Sequence, residues 1–203
     1  MTRKSANSGE RVRQLLAQET ARIIVDQGVR DYRAAKIKAA ERLGMRAHGA
    51  LPGNAEIERA VTEHLRLFGR ESHAKLLCMM RETALSAMEL LEAFTPRLVG
   101  PVLSGTADAN SAVNLHVFAD SAESVSATLT GLGISYRAYE RRLKTRRDRT
   151  DTFAGYQFHH SDSTVEATVF PVDGIRQAPI SPIDGRPMKR ADLKAVRGLI
   201  DDL

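Results

Sequence analysis

The sequence predicts an α+β protein: an N-terminal helical region, then a mixed β-sheet core flanked by helices. Three observations predict it. Apolar residues recur at helical spacing as far as about Phe94. After Pro96 the pattern changes to the period of two that marks strands. Gly, Pro and Asn punctuate the boundaries between these runs. The division this implies is a helical region over 1–70 and a sheet-containing domain over 71–203.

Each element has its own signal. Val12, Leu15, Leu16, Ile23 and Ile24 share one face of a helix over about 10–27, stopped at Gly28. Ala34, Ala35, Ile37, Ala39, Ala40 and Leu43 predict a second helix from Asp31, ended by Gly44. Residues 45–53, with Gly49, Pro52 and Gly53, form a loop. Asn54 is placed to cap a third helix carrying Ile57, Ala60, Val61, Leu65 and Phe68, closed by Gly69. Ser72 begins the longest helix, running to about Phe94, with Leu76, Leu77, Met80, Ala84, Ala87, Met88 and Leu91 in its stripe.

In the second half, Leu98–Leu103 is a short apolar strand ending in Ser104-Gly105-Thr106. Residues 112–118 alternate, with Val113, Leu115 and Val117 on one face and Ala112, Asn114, His116 and Phe118 on the other. Asp120 or Ser121 caps a helix through Val125, Leu129 and Leu132, with Gly133 at its end. A strand over 134–139 precedes a basic segment, and strands over 153–159 and 164–170 pair through Ser161-Asp162-Ser163. A Pro- and Gly-rich stretch over 171–187 leads to a last helix from Arg190 to Asp202.

Composition bounds the function. With 42% apolar and 27% charged residues in 203, the chain can bury a core and is not a disordered segment. No apolar run reaches the roughly 20 residues of a membrane span. The basic residues near the N-terminus precede no apolar stretch, so no secretory leader is expected there. A single cysteine, Cys78, forms no internal disulfide, and a reducing cytoplasm is the expected location. Cys78, Met79 and Met80 lie at helical spacing and read as core filler; His64 and His73 have no partner at a ligand spacing.

The formal charge of +5 has one source. Arg137, Arg141, Arg142, Lys144, Arg146, Arg147 and Arg149 stand against only Glu140 and Asp148, which accounts for the whole excess. Mutual repulsion of these cations predicts an open basic loop. It is either a solvated loop or a docking site for a nucleotide, RNA or an acidic protein, read here through Arg141, Arg142, Lys144, Arg146 and Arg147. Tyr136 and Tyr139 on one side and Phe153 and Tyr156 on the other suit stacking on single-stranded nucleic acid, or belong to the core.

The order helix, strand, Gly-Thr turn, strand, helix, strand, hairpin, helix resembles the nucleotidyltransferase superfamily of polymerase-β type. The resemblance covers about Ser72 to Phe170. Gly105-Thr106 matches the family's Gly-Ser turn, and Ser111-Ala112-Val113-Asn114-Leu115 matches its Ser-Asp-Ile-Asp-Leu-type strand. Glu166, in Thr164-Val165-Glu166-Ala167-Thr168, matches the third acid on a neighbouring strand. Residues 31–36 and 94–100 are also similar to a bacterial group of nucleotidyltransferase-like proteins. The resemblance implies nucleotide binding at Gly105, Thr106 and Asn114, with Mg²⁺ and a nucleoside triphosphate as cofactor and substrate if activity survives.

The departure from that pattern is chemical. Two carboxylates at i and i+2 of a strand share a face and hold Mg²⁺, which takes hard oxygen ligands and neutralises triphosphate charge. Here those positions are Ala112 and Asn114. Alanine has no ligand atom, the asparagine oxygen is neutral, and Glu166 alone does not hold two ions, so the expected site binds no metal. Two rescues remain open: a shifted register in which Asp108 or Asp120 supplies an acid, or a new set in which Asn114 and Glu166 join His116 as base or ligand. His159 and His160, adjacent on a strand, face opposite sides and do not chelate together. No Walker-type phosphate loop and no Gly-x-Ser-x-Gly nucleophile motif is present.

Overall fold

A computed structural model describes residues 3–29, 31–45, 51–68 and 70–201. Among them the chain is α+β, with an N-terminal helical region and a five-stranded mixed sheet. It divides into two compact units, residues 1–73 with 182–184, and residues 74–181 with 185–203. No helix among the described residues is long and apolar enough to cross a membrane.

The first unit is built by α1 (Arg3–Gln27), α2 (Tyr32–Arg42) and α3 (Asn54–Phe68). Leu16 and Ile23 of α1 bury against Ala35, Ala39 and Ala40, whose small side chains admit close helix approach. Ala21 meets Ile57, Val61 and Leu65 of α3. Asp31 caps α2 by accepting from the Ala34 amide at 2.7 Å. Asn54 is the first residue of α3, not its cap: the Gly53 carbonyl accepts the Ile57 amide at 3.2 Å, and the Asn54 carboxamide oxygen accepts from Lys36 Nζ at 2.7 Å. Gly49 and Gly69 lie outside the described residues.

Among the described residues the longest helix is α1, of 25 residues, because the helix continues N-terminal of its apolar stripe through polar residues from Arg3. Helix α4 (Arg70–Leu90) has 21 residues; a 3₁₀ turn over Glu92–Phe94 and a left-handed Thr95, φ 42°, follow it. The strand expected over 98–103 is only β1 (Arg97–Val99), since Gly100 turns the chain at φ 74° and Pro101, which has no N–H for a ladder, starts the short helix α5 (Pro101–Ser104).

Strand β2 (Val113–Phe118), helix α6 (Ala122–Gly131), strands β3 (Tyr136–Arg146), β4 (Arg149–His160) and β5 (Ser163–Phe170), and helix α7 (Leu193–Asp201) complete the second unit. The sheet order is β1-β2-β5-β4-β3, with only β2 and β5 parallel. Val113, Leu115, Val117, Val165 and Ala167 form one buried face, packed by Leu77, Ala84 and Met88 of α4, Leu91 just after it, Val125 and Leu129 of α6, and Val196 of α7. The basic segment is not a loop. Apart from the tight turn at Arg147 and Asp148, it is paired as β3 and the start of β4, with a bulge between Lys144 and Arg146. Alternation and the bulge divide the cations between the two sides, Arg137 and Arg141 on one and Arg142 and Lys144 on the other, which lessens the repulsion that predicted a loop. Charged side chains on an edge strand also discourage pairing with another chain.

Candidate functional site

The sheet face opposite the helices carries polar groups. On β2 it presents Asn114, His116 and Phe118, and on β5 Glu166, Thr168 and Phe170. The parallel register sets Asn114 against Glu166 and His116 against Thr168. The antiparallel register of β4 adds Gln157 beside Glu166 and Gly155 beside Thr168. Strand β3 adds Tyr139 and Arg141.

Arg141 organises this face. Its Nη1 donates to Asn114 Oδ1 at 3.0 Å, and its Nη2 donates to Glu166 Oε2 in a short ion pair. Gln157 Nε2 donates to the other carboxylate oxygen at 3.2 Å. Asn114 Nδ2 donates to the Ala112 carbonyl at 3.1 Å, so both ends of the carboxamide are committed. The Glu166 side chain is 13% exposed and that of Arg141 31%, so the pair lies at the margin of solvent, where attraction is stronger than between fully hydrated charges. The guanidinium also lies over the Tyr139 ring at 5.3 Å, and Tyr139 Oη meets Thr168 Oγ1 at 2.8 Å.

His116 is 1% exposed and packs against Phe170, the ring centroids 4.4 Å apart and the planes tilted by 48°. Its Nδ1 accepts from Arg190 Nε at 3.1 Å, which puts the ring proton on Nε2. Burial first, then the positive charges of Arg190 and Arg141, push its pKa down to about 3. His116 is therefore a neutral acceptor for an arginine, sealed from solvent. Arg190 lies over Phe118 and Phe170 at 5.0 and 5.2 Å and donates to the Gly174 and Ile175 carbonyls at 2.9 and 3.3 Å. Its own pKa is lowered to about 10, mainly by burial. Arg190 reaches this position because α7 begins at Leu193 rather than at 190: Ala191 pairs with Leu98 as an isolated bridge, and Asp192 Oδ1 accepts the Ala195 amide at 2.9 Å.

The other anticipated residues are placed as follows. Gly105 ends α5 at φ 82°, and Thr106 Oγ1 meets Ser104 Oγ at 2.9 Å. The glycine that lies against Asn114 is Gly100: a Cβ there stands 3.3 Å from Asn114 Nδ2, whereas one on Gly105 meets Leu77. Asp108 Oδ1 accepts from the Asn110 amide at 2.8 Å and Ser111 Oγ at 3.0 Å, closing its own turn, and the structure gives it no contact with Asn114 or Glu166. Asp120 is exposed beyond the end of β2. His160 Nε2 pairs with Ser86 Oγ at 2.9 Å, away from His159, which is exposed. Cys78 is half-buried, with Sγ 3.8 Å from Glu82 Oε1. Arg142, Lys144, Arg146 and Arg147 are exposed and make no ion pair among the described residues. Arg149 pairs with Asp151 at 2.8 Å.

The structure thus brings together Asn114, Glu166 and Arg141, and joins His116 to Arg190. Sequence reading missed Arg141 as a partner of Glu166, and missed Gln157, Arg190 and Gly100. The available signal was register: had 137–146 been read as a strand, Tyr139 and Arg141 would share a face. Among the described residues no group of three or more His, Cys, Asp or Glu side chains is arranged to hold a metal. Searches against protein-family models, curated proteins and solved structures match nothing to this chain.

Proposed function

We propose that the chain is a nucleotidyltransferase-like protein that has given up two-metal catalysis and acts by binding an anionic partner. The reading rests on the order β1, short α5, β2, with Glu166 on the parallel neighbour of β2. The single observation that carries the loss of catalysis is the Arg141–Glu166–Asn114 cluster. At the positions where two metals need three carboxylates, this chain has one, and that one is held by an internal cation. A divalent ion entering there must break the Arg141 ion pair and then accept a neutral carboxamide as its second ligand, both unfavourable for Mg²⁺.

The competing reading, a Mg²⁺-dependent transferase using Glu166 and Asp108, requires Asp108 to abandon its turn. The test is pyrophosphate release from each ribonucleoside triphosphate with Mg²⁺. The proposal expects none above the background of heat-denatured protein. Turnover that vanishes in both Glu166→Gln and Asp108→Asn would overturn it.

A further inference from the structure

We infer that the β3–β4 ribbon is a docking element for the phosphate walls of a DNA duplex. Strand β5 pairs with β4 only from Gly155 to His160, so residues 140–154 form a ribbon of two strands, with no third strand beside β4. From Arg141 to Arg146 it reaches roughly 17 Å at about 3.4 Å per residue. Arg142 and Lys144 share one side, opposite Thr152 and Thr150. The bulge after Lys144 turns Arg146 to the other side, opposite Arg149, and Arg147 stands in the tight turn. Four exposed cations that make no ion pair among the described residues therefore flank both sides of a narrow ribbon, whose acids are Glu140, Asp148 and Asp151, the last paired with Arg149. The Ile180 amide donates to the Lys144 carbonyl at 2.6 Å, which steadies the β3 edge without covering these side chains.

The chemistry selects among polyanions. Single-strand binding uses aromatic platforms, but Phe153 packs on Phe170 at 4.4 Å and Tyr139 is bonded to Thr168, while Tyr136, which is exposed and edge-on to Tyr156 at 5.1 Å, lies outside residues 140–154. A protein surface is held through Trp, Tyr and Arg anchors clustered at the centre of a packed patch, whereas the cations here are divided between the two flanks of the ribbon. No large apolar side chain over residues 140–154 is exposed. What remains is a slim two-stranded ribbon with cations on both flanks. The B-DNA major groove admits such a ribbon between its two phosphate strands. The A-form major groove of duplex RNA is too narrow. Contacts of this kind give affinity without sequence preference. The docking surface stands whether or not the sheet face retains catalysis.

The test is fluorescence anisotropy of a short labelled DNA duplex with the full chain, from about 50 to 200 mM salt. Four neutralised phosphates give a logarithmic slope of about −3.6, a loss on the order of 100-fold across that range. Arg146→Gln with Arg147→Gln reduces the slope by about 2, and adding Arg142→Gln and Lys144→Gln brings it near zero. Circular dichroism checks the fold; should the fourfold variant misfold, the pair at the ribbon tip carries the test. Absence of duplex binding at about 50 mM salt, or an unchanged slope in the tip pair, overturns the inference. Equal or tighter binding of a single strand does so too. Displacement of the duplex by polyglutamate at equal charge also overturns it, and assigns the ribbon to an acidic protein.

Discussion

Asn114 on β2 and Glu166 on β5 face each other across a parallel strand pair, and a single guanidinium, Arg141, donates to both. A cation carried by the chain itself thus stands among the groups that the nucleotidyltransferase resemblance would give to a metal ion. Charge balance within the sheet face follows from this. Glu166, mostly buried, has its compensating charge inside the protein and needs no ion from solution.

Removing Arg141 should expose that dependence. Arg141→Met leaves Glu166 and the Asn114 oxygen short of a donor and should cost about 1–2 kcal/mol, modest because the pair is partly exposed. Adding Glu166→Gln to Arg141→Met should recover part of the loss. Chemical denaturation of the four proteins in the cycle measures the coupling. A coupling energy near zero would mean the ion pair is not formed in solution.

The buried histidine sets a pH dependence. His116 titrates at about 3 in the folded chain against an ordinary 6.5, so the unfolded chain binds the extra proton between those values. Stability from this group is fully present above about pH 6.5 and falls by about 1.4 kcal/mol per unit as pH drops toward 3. The lowered carboxyls of Glu19 and Glu56 lose stability in the acid direction as well. The informative quantity is therefore the difference between wild type and His116→Gln, which keeps an acceptor for Arg190. Thermal melts at pH 7, 6, 5 and 4, spanning the window set by these pKa values, should show wild type losing more than the variant. Parallel curves would count against a neutral buried His116.

Tyr139 owes its place to a glycine. A Cβ on Gly155 would stand 2.6 Å from Tyr139 Oη, an overlap no rotamer relieves without moving the ring. Gly155→Ala should lower the unfolding free energy by about 1–3 kcal/mol, an overpacking cost. Combined with Tyr139→Ala, the glycine substitution should cost much less than it does alone. Full additivity would show that the clash is not the cause.

Most of the fold was readable because its signals are local. Val113, Leu115 and Val117 alternate with Asn114, His116 and Phe118, which located β2, although burial does not alternate: His116 and Phe118 are buried too and only Asn114 is partly exposed. Asp31 marked the start of α2, which it caps, and of the two candidates Asp120 and Ser121 it is Ser121 that caps α6, accepting from the Ser124 amide at 3.4 Å. The basic strand was not readable, because β3 has no apolar alternation and is held by pairing with β4 rather than by burial. That error hid the site. Arg141 meets Glu166 only when 137–146 lies in the sheet, and Arg190 meets His116 only when the last helix starts after Asp192. Contacts separated by 25 and 74 positions leave no trace in a local pattern.

The measurement closest to the central claim is calorimetric titration of Mg²⁺ into the wild-type chain and into Ala112→Asp/Asn114→Asp/Arg141→Ala, which trades the internal cation for two carboxylates. The account predicts no binding heat for wild type at millimolar Mg²⁺ and saturable binding for the triple variant. Saturable Mg²⁺ binding by wild type that disappears in Glu166→Gln would contradict it, since Glu166 would then serve a metal and not Arg141.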